Sequence, residues 1–251
     1  MNFIFKRRPI VVDFFTSAVH AYEYFPINYT KKFYPDWWKK LPNSIVEPSS
    51  IGELTSTLKT CPGMTDFFGN GITVPLWSDV YLRIGDKQSK RVNWQFSDRQ
   101  SNFDFHPAEQ RGEWLPNEYY QHLKLVVPWY GVCKEPVQFA YVPNTWAFDR
   151  PEKLVIVPGV TNFKYQIGLH MNMFVPYGDV EDGVMLKNGT PLFNLMPLSD
   201  RELKFKCHLV SDDELRKLRE KYGAAAFTFK GMHRKIKRFI DQKEKKCPFG
   251  F

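Results

Sequence analysis

The 251-residue chain is 43% hydrophobic and 25% charged, the balance of a soluble globular protein. It is long enough to bury a core without disulfide staples, as one large domain or two small ones. Its formal charge of +8 is uneven: residues 201–251 hold 15 Lys/Arg against 7 Asp/Glu, and residues 1–200 hold 20 of each, so the first four-fifths has no net charge for a broad basic groove.

Aromatic content of 16%, together with 18 prolines, favours short strands and turns over long helices. Cys61, Cys133, Cys207 and Cys247 form no CxxC pair. They read as reduced thiols in a cytosolic setting rather than zinc ligands or a disulfide framework. The opening MNFIFKRRPIVVDFF places basic residues after the first apolar ones, the reverse of a secretory signal, and no apolar run reaches membrane-spanning length. The Asn-x-Thr patterns at Asn28 and Asn188 therefore carry no expectation of glycosylation.

In chain order, Pro9–Phe15 is a β-branched and aromatic run suited to a strand, and His20–Phe25 alternates as a paired strand does before Pro26. KKFYPDWWKKLP at residues 31–42 raises a choice. Its tryptophans either stack on nucleic-acid bases with lysines on the phosphates, or plug a core while the lysines stay in water. Pro35 suits a first helical position and Pro42 a stop. One helical turn between them puts Phe33, Trp37 and Leu41 on one face with Trp38 beside it, which predicts a short structural cap on the open end of a β body.

Further strands are expected at Ile72–Leu76, Asp79–Ile84, Val92–Phe96, Leu123–Val127 and Leu154–Val157. Val157-Pro-Gly-Val160 carries a type II turn signal, and Lys187-Asn-Gly-Thr190 a hairpin signal between Val184–Leu186 and Leu192–Met196. The expected fold is mainly β, a jelly-roll or sandwich-like body with short helices (α+β overall) over residues 1–205. Residues 206–251 are expected to form a basic helical C-terminal extension, packed on the body or projecting from it. There, Ser211-Asp-Asp-Glu214 is a capping box, followed by Leu215, Leu218 and Tyr222 on one face and a stop at Gly223. A second helix is expected from about Met232 to Lys245, with Met232, Ile236, Phe239 and Ile240 as its apolar stripe. The expected partner-binding residues are Arg234, Lys235, Lys237, Arg238, Lys245 and Lys246 on its basic side.

The motifs of common chemistries are missing. There is no GxGxxG, GxxxxGK[ST] or GxSxG, and the six histidines make no HxH or HExxH pair. No catalytic residue, metal ligand or cofactor is therefore assigned. Asp98, Asp104, Glu109, Glu113 and Glu118 read as a solvated loop with Arg99 and Arg111 as local partners. Cys207-His208 reads as two side chains on opposite strand faces.

Pro9–Phe15, Tyr34–Pro42, Cys61–Asp79 and Lys187–Pro197 together resemble a protein family of T4-like marine phages, cyanophages especially. The resemblance brings no activity or site residue with it. It implies a phage gene product made in the host bacterial cytoplasm and packaged, in one version, in the virion. The leading expectation is a non-catalytic protein that binds other phage proteins, or itself, as a virion structural or assembly component, with no membrane role. The first alternative is a cupin-like small-molecule enzyme or sugar/nucleotide-binding protein. The second is non-specific nucleic-acid binding through the basic tail, weak and steeply salt-dependent.

Overall fold

The structure, a computed structural model, describes residues 7–47, 52–99, 101–106, 119–148, 151–222, 235, 238 and 240–242. It is mainly β. The first half of the described chain contains β1 (Ile10–Thr16), β2 (Asn28–Tyr29), β3 (Ser44–Val46), β4 (Leu54–Ser56), β5 (Ile72–Pro75), β6 (Val80–Ile84), β7 (Val92–Phe96) and β8 (Phe103–Phe105). The second half contains β9 (Tyr120–Leu125), β10 (Tyr130–Cys133), β11 (Phe139–Pro143), β12 (Val155–Ile156), β13 (Gly159–Thr161), β14 (Met171–Pro176), β15 (Asp182–Leu186), β16 (Pro191–Pro197) and β17 (Leu203–Leu209). The α-helices fully within the described residues are α1 (Val19–Glu23), α2 (Asp36–Lys40), α3 (Pro62–Gly69) and α4 (Asp212–Tyr222), and residues 235, 238 and 240–242 also have helical backbone. Among the described residues no helix is long and apolar enough to cross a membrane.

The strands form sheets of order β10-β1-β17, β13-β11-β16-β5-β2, β12-β14-β9-β8 and β15-β6-β7, with β3 and β4 pairing only each other. Strand alternation explains the inward faces. Ile10, Val12, Phe14 and Thr16 of β1 are fully buried, whereas Val11 is exposed. β16 is different: Leu192, Phe193, Asn194 and Leu195 are buried in succession, as expected of a strand covered on both faces. One core runs through the four larger sheets, with Phe14, Phe103, Trp129, Phe139, Phe163 and Phe193 at its centre. The paired strands β3 and β4 contribute nothing to it, because all six of their residues are exposed.

Four expectations are corrected. Residues 20–25 are not a strand. Ala18, Ala21, Tyr22 and Phe25 face the core at i, i+3, i+4 and i+7, and α1 forms around that stripe. The alternation in the sequence hid the helical spacing. Val157–Val160 is not a type II turn with left-handed glycine: Gly159 starts β13, and the left-handed glycines among the described residues are Gly52, Gly71 and Gly189. The Asn-Gly turn does bend at Gly189 (φ 78°), but it makes no hairpin. β15 pairs with β6, and β16 pairs with β11 and β5, so the turn carries the chain from one sheet to another. Asp79 holds that crossing. Its Oδ1 accepts the Asn188 N–H at 2.7 Å, the main reason its carboxyl lies below the usual range, and the Gly189 N–H donates to the Leu76 carbonyl at 2.7 Å. Lastly, β17 runs unbroken through residues 203–209, parallel to β1, so a division at 205/206 cuts a body strand.

α4 begins as the capping box predicts. The Ser211 N–H donates to Glu214 Oε2 at 2.8 Å, and the Glu214 N–H donates to Ser211 Oγ at 3.3 Å. Leu215, Leu218 and Tyr222 pack with Phe15, Tyr130, Val132 and Ile167. Gly223 lies outside the described residues.

Candidate functional site

The double tryptophan resolves into two environments. Pro35 is extended and precedes α2, while Lys39 Nζ sits 3.0 Å from Asp36 Oδ1 across the first turn. Trp38, 6% exposed, is the buried ring, and Trp37 is 41% exposed. The expected inward face of Phe33, Trp37 and Leu41 is therefore corrected. Phe33 belongs to a preceding 3-10 turn (Thr30–Phe33), and Leu41 has left the helix with ψ 127°, so their four-residue spacing does not put them on one helical face. Both are half-buried.

Trp38 packs on Phe68 of α3, with ring centroids 4.9 Å apart, and lies parallel to Tyr34 at 6.1 Å. Trp37 stands edge-on to Trp38 at 5.7 Å. Phe67 meets Phe68 at 5.3 Å and Trp146 at 4.9 Å, both edge-on. Six rings from three separate segments form one platform. Trp38 and Phe68 anchor it, while Tyr34, Trp37, Phe67 and Trp146 remain partly open to solvent. Lys31, Lys32, Lys39 and Lys40 are exposed in the same segment. Lys59 Nζ donates to the carbonyls of Leu41 at 2.9 Å and Lys39 at 3.2 Å, tying the end of α2 to the chain beyond β4. From this base the β3–β4 arm carries exposed Ile45, Val46 and Leu54, with exposed Leu58 just after it.

A second feature is an open cleft of 640 Å³ between α4 and the start of β10. Arg216 and Arg219 line it on the α4 side, and Asp98 and Ser101 on another wall. Buried Trp77 donates its indole N–H to Ser101 Oγ at 2.6 Å, and Ser101 donates its hydroxyl proton to Asp98 Oδ2 at 2.7 Å. The Ser101 N–H also donates to Asp98 Oδ1 at 2.6 Å. Asp98, expected in a solvated loop, is thus fixed at a cleft wall. Asp104 pairs with Lys124 at 3.3 Å, and Glu109, Glu113 and Glu118 lie outside the described residues.

The histidines and cysteines divide by strand face. His208 Nε2 lies 2.8 Å from Asp13 Oδ1 and its ring stacks on Phe15, whereas Cys207 turns the other way, toward the Ile27 carbonyl at 3.8 Å. Burial pushes the Cys207 thiol up to about 12, so the adjacent Asp–His pair has no thiolate beside it to activate. His106 and His122 stack at 4.5 Å across β8 and β9. Among the described residues no group of three His, Cys, Asp or Glu side chains converges as a metal site.

Of the predicted tail residues, Lys235 and Arg238 are exposed on helical backbone. Arg234, Lys237, Lys245 and Lys246, and the apolar residues Met232, Ile236 and Phe239, lie outside the described residues. Asp241 shows what the helix meets: Tyr165 donates its hydroxyl to Asp241 Oδ1 at 2.7 Å, and Lys164 Nζ approaches the same atom at 3.2 Å. Sequence reasoning missed Phe67, Phe68 and Trp146 as neighbours of the tryptophans. The local signal was the Pro62 helix start followed by Phe67-Phe68, but contacts across the chain have no sequence signature. Comparison with known protein families, curated proteins and solved structures finds no match to this chain.

Proposed function

We propose that this is a non-catalytic protein of a T4-like marine phage that works by binding another protein of the same phage, as a virion or assembly component in the host cytoplasm. The body is then a jelly-roll or sandwich-type scaffold, a reading supported by one core shared among several sheets. The observation that carries the function is the aromatic platform with its exposed arm. Partly exposed Trp and Tyr over a buried ring anchor are the composition of interface hot spots. A lone two-stranded hairpin with exposed apolar side chains is marginal in water and gains stability when covered. The exposed lysines around the rings favour a partner with acidic residues about an apolar patch. Mass spectrometry of purified phage particles tests the virion role: the protein is expected in stoichiometric amounts, and its absence from the particle contradicts that role.

A further inference from the structure

We propose that the outer face of the β15-β6-β7 sheet binds a neutral oligosaccharide, stacked on Tyr81 with its hydroxyls on Asn93, Gln95 and Arg83. These strands lie outside the aromatic platform and its arm, so the inference stands apart from the protein-binding role. Strand alternation sends Val80, Leu82 and Ile84 of β6 into the core and leaves Tyr81 and Arg83 exposed on the other side. The register sets Tyr81 between Met185 and Gln95, and Arg83 between Gly183 and Asn93. Directly paired residues share a face, so these side chains form one grid across three strands, with neighbouring strands about 4.8 Å apart.

Gly183 decides how the phenol ring lies. A Cβ there would stand 2.6 Å from Cζ and 2.8 Å from Cε2 of Tyr81, so the ring leans diagonally onto β15 and fills the place of the missing side chain. It is seated on the sheet on one side, yet Tyr81 stays 42% exposed. An outward aromatic surface fits the C–H side of a sugar ring. A sugar's hydroxyls both donate and accept, as a primary amide does. Asn93 and Gln95 are exposed and have no side-chain hydrogen bond among the described residues, while Arg83 commits its Nε to Glu181 and keeps its terminal nitrogens. Charge selects a neutral ligand. The three strands hold two charged residues, and both are paired, Arg83 with Glu181 and Asp182 with Lys153 at 3.1 Å. A phosphate or a nucleic acid meets no unpaired cation in these strands. Of the outward positions only Tyr81 and Met185 carry large apolar side chains, too few for the core of a protein interface.

Isothermal titration of the full chain with maltohexaose, cellohexaose and chitohexaose tests this. At least one is expected to bind, and raised salt should not weaken it, because the ligand carries no charge to screen. Tyr81→Ala is expected to weaken that probe about tenfold or more, the scale of a lost aromatic contact. Tyr81→Phe keeps the stacking surface and should keep most of the affinity. N93A/Q95A is expected to weaken binding with an unchanged melt, because both positions are exposed and neither touches Gly183, so it decides the question even where Tyr81→Ala loosens the sheet. Binding of none of the three probes, salt-sensitive binding, unaltered binding by Y81A or by N93A/Q95A, or equal losses in Y81A and Y81F overturns the proposal.

Discussion

At the level of single residues, the fold separates neighbours that a sequence presents as equivalent. Trp37 and Trp38 differ by one position, yet only Trp38 is enclosed. Trp38→Ala is expected to destabilise by about 3–5 kcal/mol, the usual loss for a large buried aromatic. Trp37→Ala should leave the melting temperature nearly unchanged, and comparable melts for the two variants would contradict the assignment. The same one-residue ambiguity limited the sequence reading: the 100° between adjacent helical positions is legible, but which side meets Phe68 is set by α3. His170 makes a second case. Burial first, then the Lys124 charge, pushes its pKa down to about 4. Between about pH 6.5 and 4 the unfolded chain binds a proton that the folded chain refuses, so stability is full above this window and falls as pH drops through it. The loss reaches on the order of 2–3 kcal/mol, and His170→Asn should flatten that part of a stability–pH curve. An unchanged slope would show that another group titrates there.

At the level of elements, local rules worked where the chain alone decides. The Ser211–Glu214 box starts α4 as read from sequence, with both reciprocal hydrogen bonds in place. Ser211→Ala is expected to cost about 1 kcal/mol in chemical denaturation. A variant as stable as the parent would mean that packing of Leu215 alone holds the helix. Local rules failed where tertiary packing decides. The Asn-Gly turn was legible as a bend with positive φ, but Asp79 and the Leu76 backbone anchor it to another segment, so the strands it joins part into different sheets. α1 was misread because six residues of alternating polarity fit two periods, and the core selects the stripe from Ala18 to Phe25.

Across the whole molecule, the mainly β character was legible from aromatic and proline content, while the sheet order was not, because β1 pairs in parallel with β17 some 190 residues later. The aromatic platform was half legible: the tryptophan pair announced itself, but Trp146 and the Phe67–Phe68 pair join it only through the fold. The basic tail was read as packed on the body or projecting from it; in the described part, Asp241 Oδ1 accepts the Tyr165 hydroxyl at 2.7 Å and lies 3.2 Å from Lys164 Nζ. Removing residues 228–251 is therefore expected to lower the melting temperature. Neutralising Arg234, Lys235, Lys237 and Arg238 together should spare the fold. A truncation that melts like the full chain would make the tail an independent arm, and a quadruple variant that unfolds would give those charges a structural role.

The protein-binding account rests most directly on what meets Trp37. A photoreactive benzoylphenylalanine at position 37, irradiated in infected host cells, is expected to yield one discrete adduct with an identifiable phage protein or with a second copy of this chain. The same probe at Val180, exposed but outside the platform, is expected to yield none. No adduct from position 37, or the same adducts from both positions, would contradict the account.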